Sequence, residues 1–245
     1  MISFLIPTHI GYHPDTIEHL NTLVNSIPSG IPGVEVFLIG NTYALPPEAR
    51  KEIYQERWNH NTKKFESQVQ SLFCEGTITK KFNAGVLHAR NDYVIWVRDY
   101  MKFEHDWFDH MIWDFDVCMN QILNQDGSRF RDWCSWDDPE IRPEPWIQRE
   151  KWCPNGKFWP AKAALVPYSY NKTDKMYVSG GYLIGNRRFL LENPMDESLN
   201  LGDAEDVELS IRLRNKWKYV MNPKQIVRLQ KQKDVILPTW QKSDT

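Results

Sequence analysis

Tyr93 to Asp109 reads YVIWVRDYMKFEHDWFD. Apolar and aromatic residues run unbroken from Tyr93 to Val97, and then Arg98, Asp99 and Tyr100 follow abruptly. A short run of aromatic and β-branched residues predicts a strand buried on both faces. An acid at the carboxyl end of such a strand lies where open α/β sheets bind their ligands. Taken alone, the stretch also fits a strand that ends in a solvated loop. The rest of the chain decides between the two.

Toward the N-terminus, Ile2 to Pro7 predicts a first strand and Thr16 to Asn25 a helix with Ile17, Leu20, Leu23 and Val24 on one side. Asp15 after Pro14 is its N-cap candidate. Gly30 to Gly33 marks a turn before a second strand, Val34 to Ile39. This β-α-β order predicts parallel strands and a right-handed crossover. Pro46 to Phe73 reads as largely helical, broken near Asn59 to Asn61. Lys80 to Arg90 reads as a helix leading into the central strand, with Asn83-Ala84-Gly85 permitting close backbone approach.

Toward the C-terminus, Asp106 to Trp113 predicts a short helix and Phe115 to Leu123 a strand. Asp126-Gly127 is a turn from which Arg129 to Trp133 would run back as a hairpin. Asp137 to Lys175 is rich in Pro, Trp and charge, with little periodicity, as functional loops are. Tyr177 to Gly185 reads as a strand broken by paired glycines, and Arg187 to Glu192 as a helix. Asp203 to Trp217 is the clearest helix, with acids Asp203, Glu205 and Asp206 at its dipole-favoured start and Glu208 and Arg212 spaced for an ion pair. Val220-Met221 and Ile226 to Leu229 read as short strands, and the tail after Asp234 as frayed.

The totals narrow the class. A chain of 245 residues with a formal net charge of −2 can bury a substantial core and shows no basic field for nucleic acid. No stretch approaches the ~18 apolar residues of a membrane span. The opening apolar run, Ile2 to Pro7, is too short for a signal peptide, so the sequence predicts an unexported, cytoplasmic protein. Cys74, Cys118, Cys134 and Cys153 form no C-x-x-C pair and read as free thiols. There are 11 Trp, several in polar segments, which suits stacking on sugars or bases as well as packing of loops.

Three clusters converge on one sheet edge if this topology is right: Asp99 after the central strand, Ser179-Gly180-Gly181, and Glu205-Asp206 at a helix start. Two separated carboxylate sites can divide labour. One holds a hard divalent cation that neutralises a diphosphate, and the other takes a proton from a nucleophile. Glycines between them let a bulky ligand approach the backbone. The plainer reading of Glu205-Asp206 is dipole complementation in a first turn.

On these residues the chain resembles the nucleotide-sugar glycosyltransferases of the GT-A fold, close to glycosyltransferase family two. ISFLIPTH is similar to their first nucleotide-binding strand, Asn83-x-Gly85 to the segment before their metal-binding acid, and YVSGGYLIGNRRF with DESLNLGDAEDVELSIRLR to their acceptor-side block, where a Glu-Asp pair opens a helix. The resemblance implies one α/β domain, a Rossmann-like sandwich with a mainly parallel central sheet and a smaller mixed acceptor-side sheet. Residues 1–104 would bind the donor and 105–235 the acceptor, with 236–245 a tail. It implies a hexosyltransferase, inverting, with Mn²⁺ (or Mg²⁺) on a nucleotide diphosphate sugar, a UDP-sugar being favoured, and a carbohydrate or other hydroxyl acceptor. Carried over, Asp99 is the metal ligand, Asp206 the base and Glu205 its assistant in placing the acceptor. Pro7, Thr8, Asn41, Asn83, Arg98, Gly180 and Gly181 line the donor.

The chain departs from that pattern where it matters. Arg98-Asp99-Tyr100 stands where Asp-x-Asp is usual, and no His follows His110 to serve as a late ligand. The literal Asp114-Phe115-Asp116 opens a strand and is a decoy. Arg228, Lys231 or Lys233 could neutralise a diphosphate directly. Trp133, Trp136 and Trp152 are candidates for acceptor stacking, and Arg131-Asp132 could hydrogen-bond sugar hydroxyls, an internal salt bridge being the plainer reading. The rival readings are a catalytically impaired GT-A-like binding protein, which has no need of a base, and a nucleotidyltransferase, which needs a basic Gly-rich loop that Thr8 to Pro14 lacks.

Overall fold

The computed structural model describes residues 1–8, 15–27, 33–54, 57–59, 64–66, 69–136, 138, 163–199 and 202–233. Its frame is an eight-stranded sheet in the order β5-β2-β1-β6-β12-β8-β13-β7. The strands are β1 (Ile2–Pro7), β2 (Glu35–Ile39), β5 (Val69–Leu72), β6 (Tyr93–Val97), β7 (Met101–Phe103), β8 (Val117–Leu123), β12 (Tyr182–Asn186) and β13 (Tyr219–Leu229). Four of its neighbour pairs are parallel: β1-β2, β1-β6, β2-β5 and β8-β13. A smaller antiparallel sheet has the order β10-β9-β11, from β9 (Cys134–Trp136), β10 (Ala163–Leu165) and β11 (Met176–Tyr177). β3 (Arg57–Asn59) and β4 (Lys64–Glu66) form a separate antiparallel pair.

The continuous apolar runs are buried as their composition requires: β1 is buried throughout, and β6 from Val94 to Val97. Helix α1 (Thr16–Ser26) packs on β7 and on α2 (Pro47–Ile53), and α3 (Ile78–His88) on β1 and β2, while α4 (Arg187–Glu192) and α5 (Glu205–Leu213) follow β12. Asp15 stands at the N-cap of α1, its carbonyl accepting from His19 N at 2.9 Å. Thr77 caps α3, its hydroxyl accepting from Lys80 N at 3.2 Å. Gly85 lets α3 settle onto the sheet, since a Cβ there would lie 2.5 Å from Ile39 Cδ1 and 3.1 Å from Leu5 Cδ1. Phe82 meets Trp96 edge-on at 5.2 Å, and Phe4 meets Phe103 at 5.3 Å. Among the described residues no helix is long and apolar enough to cross a membrane.

Several boundaries differ from expectation. The described residues of 46–73 form one short helix and three strands instead of a broken helix. The glycine-interrupted strand is two strands in different sheets, β11 and β12. The two late strands are one, β13, with an irregularity between Asn222 and Ile226. The hairpin after Asp126-Gly127 is reduced to a single antiparallel bridge, Leu123 to Arg129. Asp203 lies outside α5. The turn at 30–32 and the tail after 234 lie outside the described residues.

Candidate active site

Topology brings the candidate residues together. β1, β2 and β6 are parallel, so Pro7, Ile39 and Val97 end on one edge of the sheet. β12 runs against β6, so Tyr182 pairs with Val97 and Gly180-Gly181 reach the same edge. β8 runs against β12 and with β13, so the segment after Leu229 ends there too.

Arg98 to Tyr100 make a tight turn closed by Met101 N donating to Arg98 O at 3.1 Å. Arg98 N donates to Gly181 O at 3.0 Å, and Trp96 Nε1 to Gly180 O at 3.0 Å. The backbone of the paired glycines is thereby stitched to the end of β6. Gln230 clasps the turn from β13, its N–H donating to Tyr100 O at 2.8 Å and its amide to Met101 O at 2.8 Å. Asp99 is 9% exposed. Burial holds its carboxyl above the usual range, against the pull of Arg98, the Tyr100 N–H, His19 and Lys231.

Glu205 and Asp206 open α5 from Ala204, whose φ of 59° and ψ of 49° are left-handed. Asp206 Oδ2 accepts from Gly180 N at 2.9 Å and lies 3.7 Å from Arg131 Nη2. Its Oδ1 accepts from Val207 N at 2.9 Å. Ser210 ties the helix down, donating to Asp206 O at 2.6 Å and accepting from Val178 N at 3.0 Å. Glu205 is also buried; desolvation and the neighbouring Asp206 push its carboxyl up to about 7, against its own N–H, Arg131 and Arg98. The glycines have a packing reason as well. A Cβ on Gly180 would lie 3.0 Å from Asp206 Oδ2, and one on Gly181 3.3 Å from the Tyr100 hydroxyl.

At the end of β1, Thr8 is buried, with its N–H donating to Ile39 O at 2.9 Å. Asn41 is exposed at the start of a short 3₁₀ turn, Thr42–Ala44. Beside Thr8 stands Lys81 of α3, which sequence reasoning missed. Its Nζ donates to Thr8 O at 3.0 Å, and burial lowers its pKa. The signal was a lysine on the buried face of α3, beside Ile78 and Phe82. Asn83 is placed elsewhere. Its amide bonds Met195 O at 2.9 Å and Glu197 at 3.0 Å, and accepts from Met195 N, tying α3 to the segment after α4.

Other candidates are structural. Trp133 is buried, donates to Tyr170 O at 3.1 Å and packs on Tyr219, so it has no face for an acceptor. Trp136's side chain and Trp152 lie outside what is described. Arg131 and Asp132 each make an internal ion pair, Asp132 with Arg129 and Arg131 with Asp206. Arg228 is engaged by Glu104 at 2.6 Å. Asp114 is exposed and pairs with Lys218, whose N–H donates to Asp116 at 2.7 Å, so the literal Asp-x-Asp fastens two strand starts together. Cys74, Cys118 and Cys134 are free.

No protein-family model matches the sequence, and no curated protein sequence does. Solved structures match nearly the whole chain. TarS of S. aureus, residues 1–349, aligns at a TM-score of 0.51 and 15% identity over 98% of this chain and 59% of that one. The same protein in complex with UDP-GlcNAc aligns at 0.55 and 14% over 96% and 60%. GalNAc-T7 with UDP, GalNAc and Mn²⁺ aligns at 0.59 and 16% over 97% and 46%. The fold is the GT-A fold. The chain spans three-fifths or less of these proteins' lengths.

The acid expected as a metal ligand is Asp99. A hard divalent ion takes about six oxygens or more, and Mg²⁺ or Mn²⁺ sites are built on carboxylates. Among the described residues no three His, Cys, Asp or Glu gather to hold a metal. Asp99 has Arg98 and Lys231 within electrostatic reach. The described residues around Asp99 do not fit a resident divalent ion.

Proposed function

We propose that the chain is a glycosyltransferase moving a sugar from a nucleotide diphosphate sugar, a UDP-sugar being favoured, to a hydroxyl acceptor with inversion. The observation that carries this reading is the buried Glu205-Asp206 pair at the strand-end edge, with Asp206 fixed on the Gly180 N–H across from Arg98 and Asp99. TarS with UDP-GlcNAc and GalNAc-T7 with UDP support the donor class by their shared fold. Asp206 takes the proton of the acceptor hydroxyl. The acceptor oxygen forms its bond to the anomeric carbon as the bond to the diphosphate oxygen breaks, and the electron pair leaves on the diphosphate. Glu205 carries a proton up to about pH 7 and serves as a hydrogen-bond donor to the acceptor. The 1–104 half holds the donor and 105–235 the acceptor.

The rival, a GT-A-like binding protein without turnover, draws on the reduced acid count at Arg98-Asp99-Tyr100. Incubating the protein with UDP-GlcNAc, UDP-GalNAc and UDP-glucose and assaying released UDP separates the two. Transfer or slow hydrolysis that Asp206→Asn abolishes, with donor binding retained, supports the enzyme. Binding with no release in either protein supports the rival. A folded protein that binds no nucleotide sugar sinks both.

A further inference from the structure

The end of β13 carries more positive charge onto the site than the described residues there balance. Lys233 Nζ lies 3.4 Å from the centre of the Tyr100 ring, Lys231 Nζ 5.4 Å and the Arg98 guanidinium 5.7 Å. Three cations thus share one ring, at separations where like charges repel. Among the described residues none of the three has a salt bridge, and Arg98 Nε, although buried, has no hydrogen-bond partner. Asp99 is the carboxylate beside them, with Glu205 within reach of Arg98.

The lysines are held there by design of the loop. Lys233 N donates to Asn124 Oδ1 at 2.9 Å, the Gln232 amide to Asp126 at 2.9 Å, and the Gln125 amide to Gln230 O at 2.7 Å. With Gln230 clasping the 98–101 turn, residues 230–233 are fastened on both sides. Clustered, ordered cations with few counter-charges and an unsatisfied guanidinium donor suit a ligand with several anionic oxygens.

We propose that Arg98, Lys231 and Lys233, arranged on Tyr100, bind and neutralise the leaving diphosphate directly, in place of a divalent ion on Asp99. This rests on the glycosyltransferase reading. The cations stabilise the charge left on the diphosphate when its bond to the anomeric carbon breaks, and they exchange no proton or electron. Asp99 then acts as the counter-charge that spaces Arg98 and Lys231.

The test is calorimetric titration with UDP and with GDP, in EDTA and in Mn²⁺, with uridine as the phosphate-free probe. At least one diphosphate is expected to bind within about threefold in both conditions. The double variant K231Q/K233Q loses about 30-fold or more of that affinity, the worth of charge-assisted bonds. K231R/K233R, which keeps the charge, stays within about fivefold, and this guards against a folding artefact. Diphosphate affinity that falls more than about tenfold in EDTA, or that survives in K231Q/K233Q, overturns the proposal and leaves the glycosyltransferase reading standing. Failure of both diphosphates to bind the folded protein in either condition overturns both.

Discussion

Asp206 is a carboxylate whose two oxygens are already assigned: Oδ2 to the Gly180 N–H and Arg131, Oδ1 to the Val207 N–H. Such partners fix its direction, as the proposed role of a positioned base requires. Asp206→Asn keeps the shape and removes the proton acceptor. It is expected to lower kcat by about 10²–10⁴-fold with donor affinity unchanged, the usual range for loss of a positioned base. Glu205→Gln, which retains a donor, is expected to cost less. Equal losses in the two variants, measured by UDP release, would count against the division of roles. Glu205 also links stability to pH. Its folded value of about 7 lies above the ~4.3 of an unfolded glutamate. Between those values the folded state keeps a proton that the unfolded chain has released. This contribution is therefore fully present below about pH 4.3 and is lost as pH rises through about 7. Urea midpoints at about pH 5 and pH 8 check it. Glu205→Gln should gain on the wild type by on the order of 1–3 kcal/mol as pH rises. An unchanged difference sinks the assignment.

At the scale of elements, α5 begins from a conformation that disfavours a side chain. Ala204 sits at φ 59°, where Cβ crowds the backbone. Ala204→Gly relieves that crowding and is expected to stabilise by up to about 1 kcal/mol, less the added freedom of the unfolded chain. A thermal melt reads it. Gly180→Ala acts in the opposite sense. Its Cβ would press on Asp206 at 3.0 Å, so a loss of about 1–3 kcal/mol is expected, together with lower transfer at unchanged UDP affinity. What was legible in the sequence follows from the same physics. β1, β6, α3 and α5 declared themselves because burial imposes a period or an apolar run on the chain. β5 did not, because only Val69 of its four residues is fully buried and no alternation survives. Among the described residues β3 and β4 pair with each other and not with the large sheet. Pro223 and Lys224 split β13 on paper, whereas the structure absorbs them in an irregularity next to Asn222. Asp99, Gly180-Gly181 and Glu205-Asp206 stood out because type and order marked them, and the structure brings them to one sheet edge. Arg131's turn toward Asp206 and Lys81's toward Thr8 are long-range placements that no local spacing encodes.

At the scale of the molecule, the site lies where the large and small sheets meet, and one buried acid joins them. Asp132 is fully buried and accepts from Ile122 N of β8 at 3.3 Å, Trp133 N at 2.7 Å and the Tyr168 hydroxyl at 2.7 Å. Arg129 completes the set with its Nη2 at 2.6 Å and reaches Val166 O, just past β10, at 2.9 Å. Val166 N in turn donates to Trp133 O at 3.0 Å. Asp132→Ala would leave a mostly buried guanidinium and two backbone donors without their acceptor. Because Arg129 retains 24% exposure, the cost is expected at the low end for a broken buried pair, about 3 kcal/mol. Asp132→Asn keeps an oxygen for the backbone donors and should lose less. Denaturant midpoints of the three proteins measure this, and a loss below about 1 kcal/mol for the alanine variant would remove Asp132 from this role. The same variant tests how the fold serves the chemistry. Arg131, the partner of Asp206, is the residue before Asp132 and is held at φ 44° by its surroundings. Loosening that turn should reduce transfer well below the melting temperature while UDP binding at the far end of the edge persists. A variant that melts early but transfers normally when cold would show that the seam supports only the fold.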